Sequence, residues 1–115
     1  MSKKIYCHAQ FKPKPGKEKE LFEVLKALEP NTLREDACIS YIVTRHIQSP
    51  FAEGKSYPIA FTEIWASKEA FEAHCQRKEI VGFFETHCVD PDGLAEAHNV
   101  CVFTDEPEDY DKPVF

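Results

Sequence analysis

"YPIAFTEIWASKEAFEAH", residues 57–74, decides how this chain folds, because two periodicities meet in it. Residues 57–66 alternate. Ile59, Phe61, Glu63 and Trp65 point one way, and Ala60, Thr62, Ile64 and Ala66 the other, as the period of two in a strand requires. Both sets contain apolar groups, which predicts a strand covered on both faces. At Ser67 the period changes. Its hydroxyl suits an N-cap, accepting a bond from an early N–H of the helix that opens with KEAFEAH. On that helix Ala70, Phe71 and His74 share one face, and Phe71 marks the face as buried.

Working outward, IYCHAQF (5–11) reads as a first strand, and KPKPG (12–16) breaks it with a turn at Pro15 and Gly16. Leu21, Phe22, Val24, Leu25 and Leu28 then form a helical stripe, continuing through Pro30 towards Arg34 with a kink, since proline removes one backbone bond. CISYIVTRHI (38–47) is β-branched and aromatic, a second strand, and QSPFAEGKS (48–56) is a loop. Beyond residue 74, EIVGFFETHC (79–88) is a further helical segment, VDPDG (89–93) a turn and HNVCVFT (98–104) the last strand. The order β-α-β-β-α(α)-β is the split βαβ, ferredoxin-like pattern of an α+β subunit with an antiparallel sheet. Helices cover one sheet face. Apolar side chains on the other call for a second subunit, giving a homodimer in which two sheets pack face to face. Residues 1–104 form one domain. Residues 105–115, DEPEDYDKPVF, carry five acids and two prolines and form an acidic tail, either a mobile end or an arm lying on a partner chain.

The 115 residues suit one domain, and the 43% hydrophobic content supports a core. A formal charge of −6 argues against nucleic acid and against anionic lipid, both of which need a basic face. No apolar run approaches the roughly 20 residues that cross a membrane. MSKKIYCHAQF lacks the apolar segment of a secretory signal, so a cytoplasmic location is expected. Five scattered cysteines (Cys7, Cys38, Cys75, Cys88, Cys101) without CxxC pairs read as free, mostly buried thiols.

HCQRKEIVGFFETHC (74–88) begins and ends with His-Cys and invites a metal reading. Thirteen residues on one helix separate His74 and His87 by about 220°, so they face nearly opposite ways. Structural zinc sites use close pairs, so no metal is expected. A helix break near Arg77 or Lys78 would let the two pairs converge, and that alternative stays open. His74 stands out as a candidate base beside the plainer reading of a satisfied core histidine. His87, near a helix end and a turn, is expected to cap or to meet solvent.

FTEIWASKEAFEAH (61–74) resembles the E-x-W-x-(D/S)-x-x-A-(F/L)-x-x-H signature of the antibiotic biosynthesis monooxygenase family. FKPKPGKEKELFEVL is similar to that family's first turn and helix, LREDACISYIVTRH to its helix end and second strand, and IVGFFE to its later short helix. The resemblance spans roughly residues 5–104. It implies a ferredoxin-like subunit in a dimeric α+β barrel, and activities that include cofactor-independent oxygenation of quinols and polyketide phenols. Relatives degrade haem or act as isomerase-like enzymes. There are departures: Glu35-Asp36-Ala37-Cys38 replaces the usual E-P-G-C, and Glu79-Ile80 stands where His-Phe is frequent. Phe84 occupies the position of the iron-binding histidine in the haem-degrading relatives, and His74 that of their tryptophan, so the resemblance speaks against haem.

No G-x-G-x-x-G or P-loop is present, so no dinucleotide signature exists. A metal-free, flavin-free oxygenase must deprotonate an electron-rich aromatic, hold it and exclude water. His74 suits the first task because its pKa lies near neutrality. Trp65, Tyr41 and Phe83 would shape an apolar pocket, Arg45 would stabilise the anion, and Glu63 would orient a partner or bind His74. Each has a plainer reading: core packing for the aromatics, an interface bond for Glu63 and a surface or interface pair for Arg45. Three functions remain open at this level. The first is a cofactor-independent monooxygenase taking a small quinol or phenol and dioxygen. The others are an isomerase of a small carbonyl compound and a non-catalytic, small-molecule-binding or stress-associated dimer.

Overall fold

A computed structural model describes residues 3–106; the acidic tail expected from residue 105 lies, from residue 107 on, outside the described residues. Its strands are β1 (Ile5–Pro13), β2 (Cys38–Arg45), β3 (Ile59–Trp65) and β4 (Ala95–Thr104). Its helices are α1 (Glu18–Lys26), α2 (Glu29–Leu33), α3 (Lys68–Cys75) and α4 (Lys78–Phe84), the last running into a π-helical turn over Glu85–Val89. The strands form one antiparallel sheet in the order β2-β3-β1-β4, the ferredoxin-like topology the element order implies.

The alternation of β3 holds residue by residue. Ile59, Phe61, Glu63 and Trp65 are buried beneath the helices, while Ala60, Thr62 and Ile64 on the other face are half-buried. β1 repeats the pattern, and Cys7, Ala9 and Phe11 join the same core. Leu21, Leu25 and Leu28 close over them from the α1 side. Two of these leucines lose all exposure, each contributing about 1.5–3 kcal/mol of hydrophobic stabilisation. Ile80 and Phe83 of α4 close the other end.

The helix expected to run kinked through Pro30 is instead two helices. α1 ends at Lys26, and Pro30 sits in the first turn of α2, where its missing N–H costs no helical bond. Separation frees Glu29 to accept from the Val43 N–H at 2.8 Å, satisfying a donor on edge strand β2. Gly16, with φ of 78°, makes the turn before α1. Ser67 caps α3 as expected, its Oγ accepting from Ala70 N–H at 3.1 Å. After α3 the backbone becomes extended at Arg77, which lets α4 start in a new direction.

The cysteines are all free thiols but not mostly buried. Cys7 is buried, Cys38 and Cys88 are half-buried, and Cys75 and Cys101 are exposed. The sheet face away from the helices carries Ile42 and Phe103, each about half-exposed. No helix among the described residues is long and apolar enough to cross a membrane.

Candidate functional site

β3 sends Glu63 and Trp65 up towards α3, and α3 sends His74 down between its aromatic neighbours. His74 is buried at 3% exposure. Its ring lies 4.6 Å from Trp65, tilted, and 5.3 Å from Tyr41, edge-on. Tyr41 stacks on Phe61 at 4.3 Å, so a continuous aromatic layer fixes the imidazole plane.

Glu35, in the turn between α2 and β2, holds the other end of His74 through Nδ1 and Oε2, 2.9 Å apart. The same carboxylate oxygen accepts from Arg77 at 2.7 Å. Burial lowers the His74 pKa, and Glu35 only partly offsets it. At neutral pH this contact is therefore a hydrogen bond from a neutral imidazole to a carboxylate, and the ion pair is Glu35–Arg77. With the proton on Nδ1, Nε2 keeps its lone pair for a ligand.

Glu63 is equally buried. It accepts from the Trp65 indole N–H at 2.9 Å, and the Cys7 thiol lies beside it. Desolvation pushes its carboxyl up to about 7. It does not bond His74; Glu35 does.

A cavity of about 70 Å³ lies between the sheet and the helices. Tyr41, Glu63, His74 and Phe83 line it, four of the sequence-predicted site residues. Trp65 does not line it but backs His74 from behind. Arg45 is not brought in. It shares the Tyr41 face of β2 but lies at the strand end, where its exposed guanidinium bonds Glu18 at 2.8 Å on the surface. The half-buried Phe71 and Phe84 and the partly exposed Val100 and Cys75 mark the mouth. A larger, open hollow of about 650 Å³ in the loop between β2 and β3 contains none of the candidate residues.

Glu35 and Arg77 were not singled out as partners of His74 by sequence reasoning. Glu35 stood only as the first residue of a departed family turn, and no local pattern relates it to residue 74. Cys75 lines the cavity, but burial pushes its thiol up to about 11, so it is not a thiolate nucleophile at neutral pH. Among the described residues no three His, Cys, Asp or Glu side chains converge on a metal position. His87 neither caps nor meets solvent through Nδ1, which is buried without a partner among the described residues.

The sequence pattern of antibiotic biosynthesis monooxygenases matches residues 4–86. No curated protein matches the chain. Among solved structures, a protein from Shewanella oneidensis is 31% identical, with a TM-score of 0.74, over 90% of this chain and 92% of that one. A Pseudomonas aeruginosa protein is 19% identical, with a TM-score of 0.72, over 90% and 95%. A candidate antibiotic biosynthesis monooxygenase from Deinococcus radiodurans is 15% identical, with a TM-score of 0.65, over 86% and 89%. The last two likenesses speak for the fold alone.

Proposed function

The chain belongs to the antibiotic biosynthesis monooxygenase family, and from that premise we propose that it is a cofactor-independent monooxygenase acting on a small electron-rich quinol or phenol. The observation that carries the reading is the His74–Glu35 pair at the wall of an apolar, aromatic-lined cavity. Glu35 fixes the tautomer, so Nε2 of His74 takes the phenolic proton. The resulting anion gives one electron to dioxygen, and the radical pair recombines at the ring carbon. Loss of water then leaves a quinone. One oxygen atom stays as the new carbonyl, the other departs as water, and the substrate loses two hydrogens. All four electrons come from the substrate, so no external reductant enters the balance.

The cavity is smaller than the several hundred Å³ that a drug-sized ligand fills. Admitting the aromatic requires Phe71 and Phe84 to swing outward. Half-exposed Ile42 and Phe103 on the helix-free face support a homodimer in which two sheets meet; light scattering on purified protein tests that part.

Oxygen uptake against a panel of hydroquinones and phenols, with metal-stripped protein and a folded His74→Ala variant, tests the activity. Protein-dependent uptake that falls at least about tenfold in the variant is expected for a base of this kind. Uptake unaffected by the substitution sinks the assignment of His74. A second reading, proton-transfer isomerisation of a small carbonyl compound, is favoured by Glu63 and His74 facing the same cavity. Turnover without oxygen distinguishes it.

A further inference from the structure

The cavity has an unusual charge balance for a site that would handle anions. Among the described residues only Tyr41, Glu63 and His74 bring ionisable oxygen or nitrogen to its wall; the rest of the lining is apolar side chains and the thiols Cys7 and Cys75. Among the described residues no lysine or arginine lines it. Arg77, the cation nearest in the His74 network, is held by Glu35 at 2.7 Å. Arg45 is engaged at the surface by Glu18. An anion entering the cavity would shed water, find no counter-charge and face Glu63, a combination that costs several kcal/mol for unpaired ions.

Glu63 itself sits mid-strand with 5% exposure and two neutral donors, the Trp65 indole on Oε1 and the Cys7 thiol. Among the described residues it forms no ion pair. A buried carboxyl without a cation favours its neutral form, and its pKa stands at about 7. The neutral carboxyl has an O–H to donate, which a carboxylate lacks. The groups facing it are Cys7 from β1, Cys38 and Tyr41 from β2, Trp65 on its own strand, and His74 and Cys75 from α3, with the Glu35 carboxylate acting from farther off. None of these is a cation at neutral pH, because burial keeps His74 neutral.

We propose that Glu63, as a protonated carboxylic acid, donates a hydrogen bond to an oxygen of the bound ligand, and that the site thereby selects uncharged molecules over anions. The proposal rests on the cavity being the substrate site. It does not depend on the reaction being an oxygenation. It assigns opposite tasks to the two buried groups: His74 accepts a proton at one end of the ligand, and Glu63 offers one at another.

Calorimetric titration with 1-tetralone, an uncharged ketone that neither titrates nor reacts with oxygen near neutrality, tests it beside 1-naphthoate, an anion of similar size. For the natural chain, tetralone affinity is expected to stay constant below pH about 7 and to weaken by about tenfold per pH unit above it, as binding to one protonation state requires. Naphthoate is expected to bind at least about tenfold more weakly at pH 8. In Glu63→Gln, whose amide still donates, tetralone affinity is expected to lose its pH dependence over this range. Infrared difference spectra of the natural chain should show a protonated carboxylic acid that the variant lacks, a readout independent of binding. A pH-independent tetralone affinity in the natural chain, equal affinity for naphthoate, or no tetralone binding overturns the proposal. Oxygen uptake with a flat tetralone profile would sink this proposal and leave the oxygenase standing; the expected profile without uptake would do the reverse.

Discussion

His-Cys occurs twice, at residues 74–75 and 87–88, and the fold treats the two copies differently. His74 is pinned between Trp65 and Tyr41, bonded to Glu35 through Nδ1, and lines a cavity. His87 lies in the π-helical turn against Phe83 at 5.5 Å, its Nδ1 buried and unpartnered. A histidine becomes a chemical tool through what is brought to it. For His74 a carboxylate fixes the tautomer and aromatic faces fix the plane. For His87 the turn over Asp90–Gly93 arrives instead, and an added Cβ on Gly93 would stand 2.5 Å from the His87 Cα. In the proposed function one ring serves proton transfer, while the other is a packing element.

That contrast can be broken most forcefully by kinetics. His74→Ala, confirmed as folded by circular dichroism, is expected to lower kcat/KM for oxygen uptake by about 10²- to 10⁴-fold, the usual worth of a positioned base. His87→Ala should stay within about twofold of the natural chain, as a packing residue outside the cavity should. Equal losses would erase the distinction.

The next effect concerns the electrostatics around His74. Glu63 has a folded pKa of about 7 against an ordinary 4.5, so its neutral form stabilises the fold fully below pH about 4.5. That contribution is lost as pH rises through about 7. Glu63→Gln, which stays uncharged and keeps an acceptor for Trp65, should therefore match the natural chain at pH 4.5. At pH 8 it should exceed it by on the order of 3 kcal/mol in urea unfolding. His74 runs the other way: its folded pKa lies below 6.5, so its contribution is present above that pH and lost on acidification. A Glu63→Gln variant less stable than the natural chain at pH 8 would mean that Glu63 is stabilised as a carboxylate.

The smaller effects probe His87. Gly93→Ala drives a methyl into the His87 backbone, which cannot swing aside as a side-chain tip can, and is expected to cost about 1–3 kcal/mol. His87→Phe removes the orphaned nitrogen while keeping a ring against Phe83, so it should change stability by no more than about 1 kcal/mol, on the favourable side. A marked loss of thermal stability in that variant would show that Nδ1 has a partner in solution.

Much of the scaffold was legible along the chain. The alternation of Ile59, Phe61, Glu63 and Trp65, the Ser67 cap and the Leu21–Leu25–Leu28 stripe are properties of neighbours within a few residues, and each emerges as read. Boundaries shifted where pairing overrode propensity. β4 begins at Ala95 rather than at 98 because Ala97 and Ala95 pair with Lys12 and Pro13 across a bulge. The site was legible only in part. Tyr41 and Arg45 lie on one face of β2, but α1 begins beside Arg45 and offers it Glu18, while Tyr41 runs under α3.

By itself the sequence determined the order of elements, the face on which His74 and Glu63 lie, and a signature that marks the family, because periodicity and capping are short-range. Only the tertiary structure decided which carboxylate serves His74. Glu35 and Glu63 are both candidates by chemistry. Glu35, 39 residues away, reaches Nδ1 because the turn before β2 packs against the end of α3. Glu63, nearer in the chain, is turned to Trp65 by the strand that carries them both. Side-chain partners across elements depend on how those elements pack, and no local pattern encodes that choice.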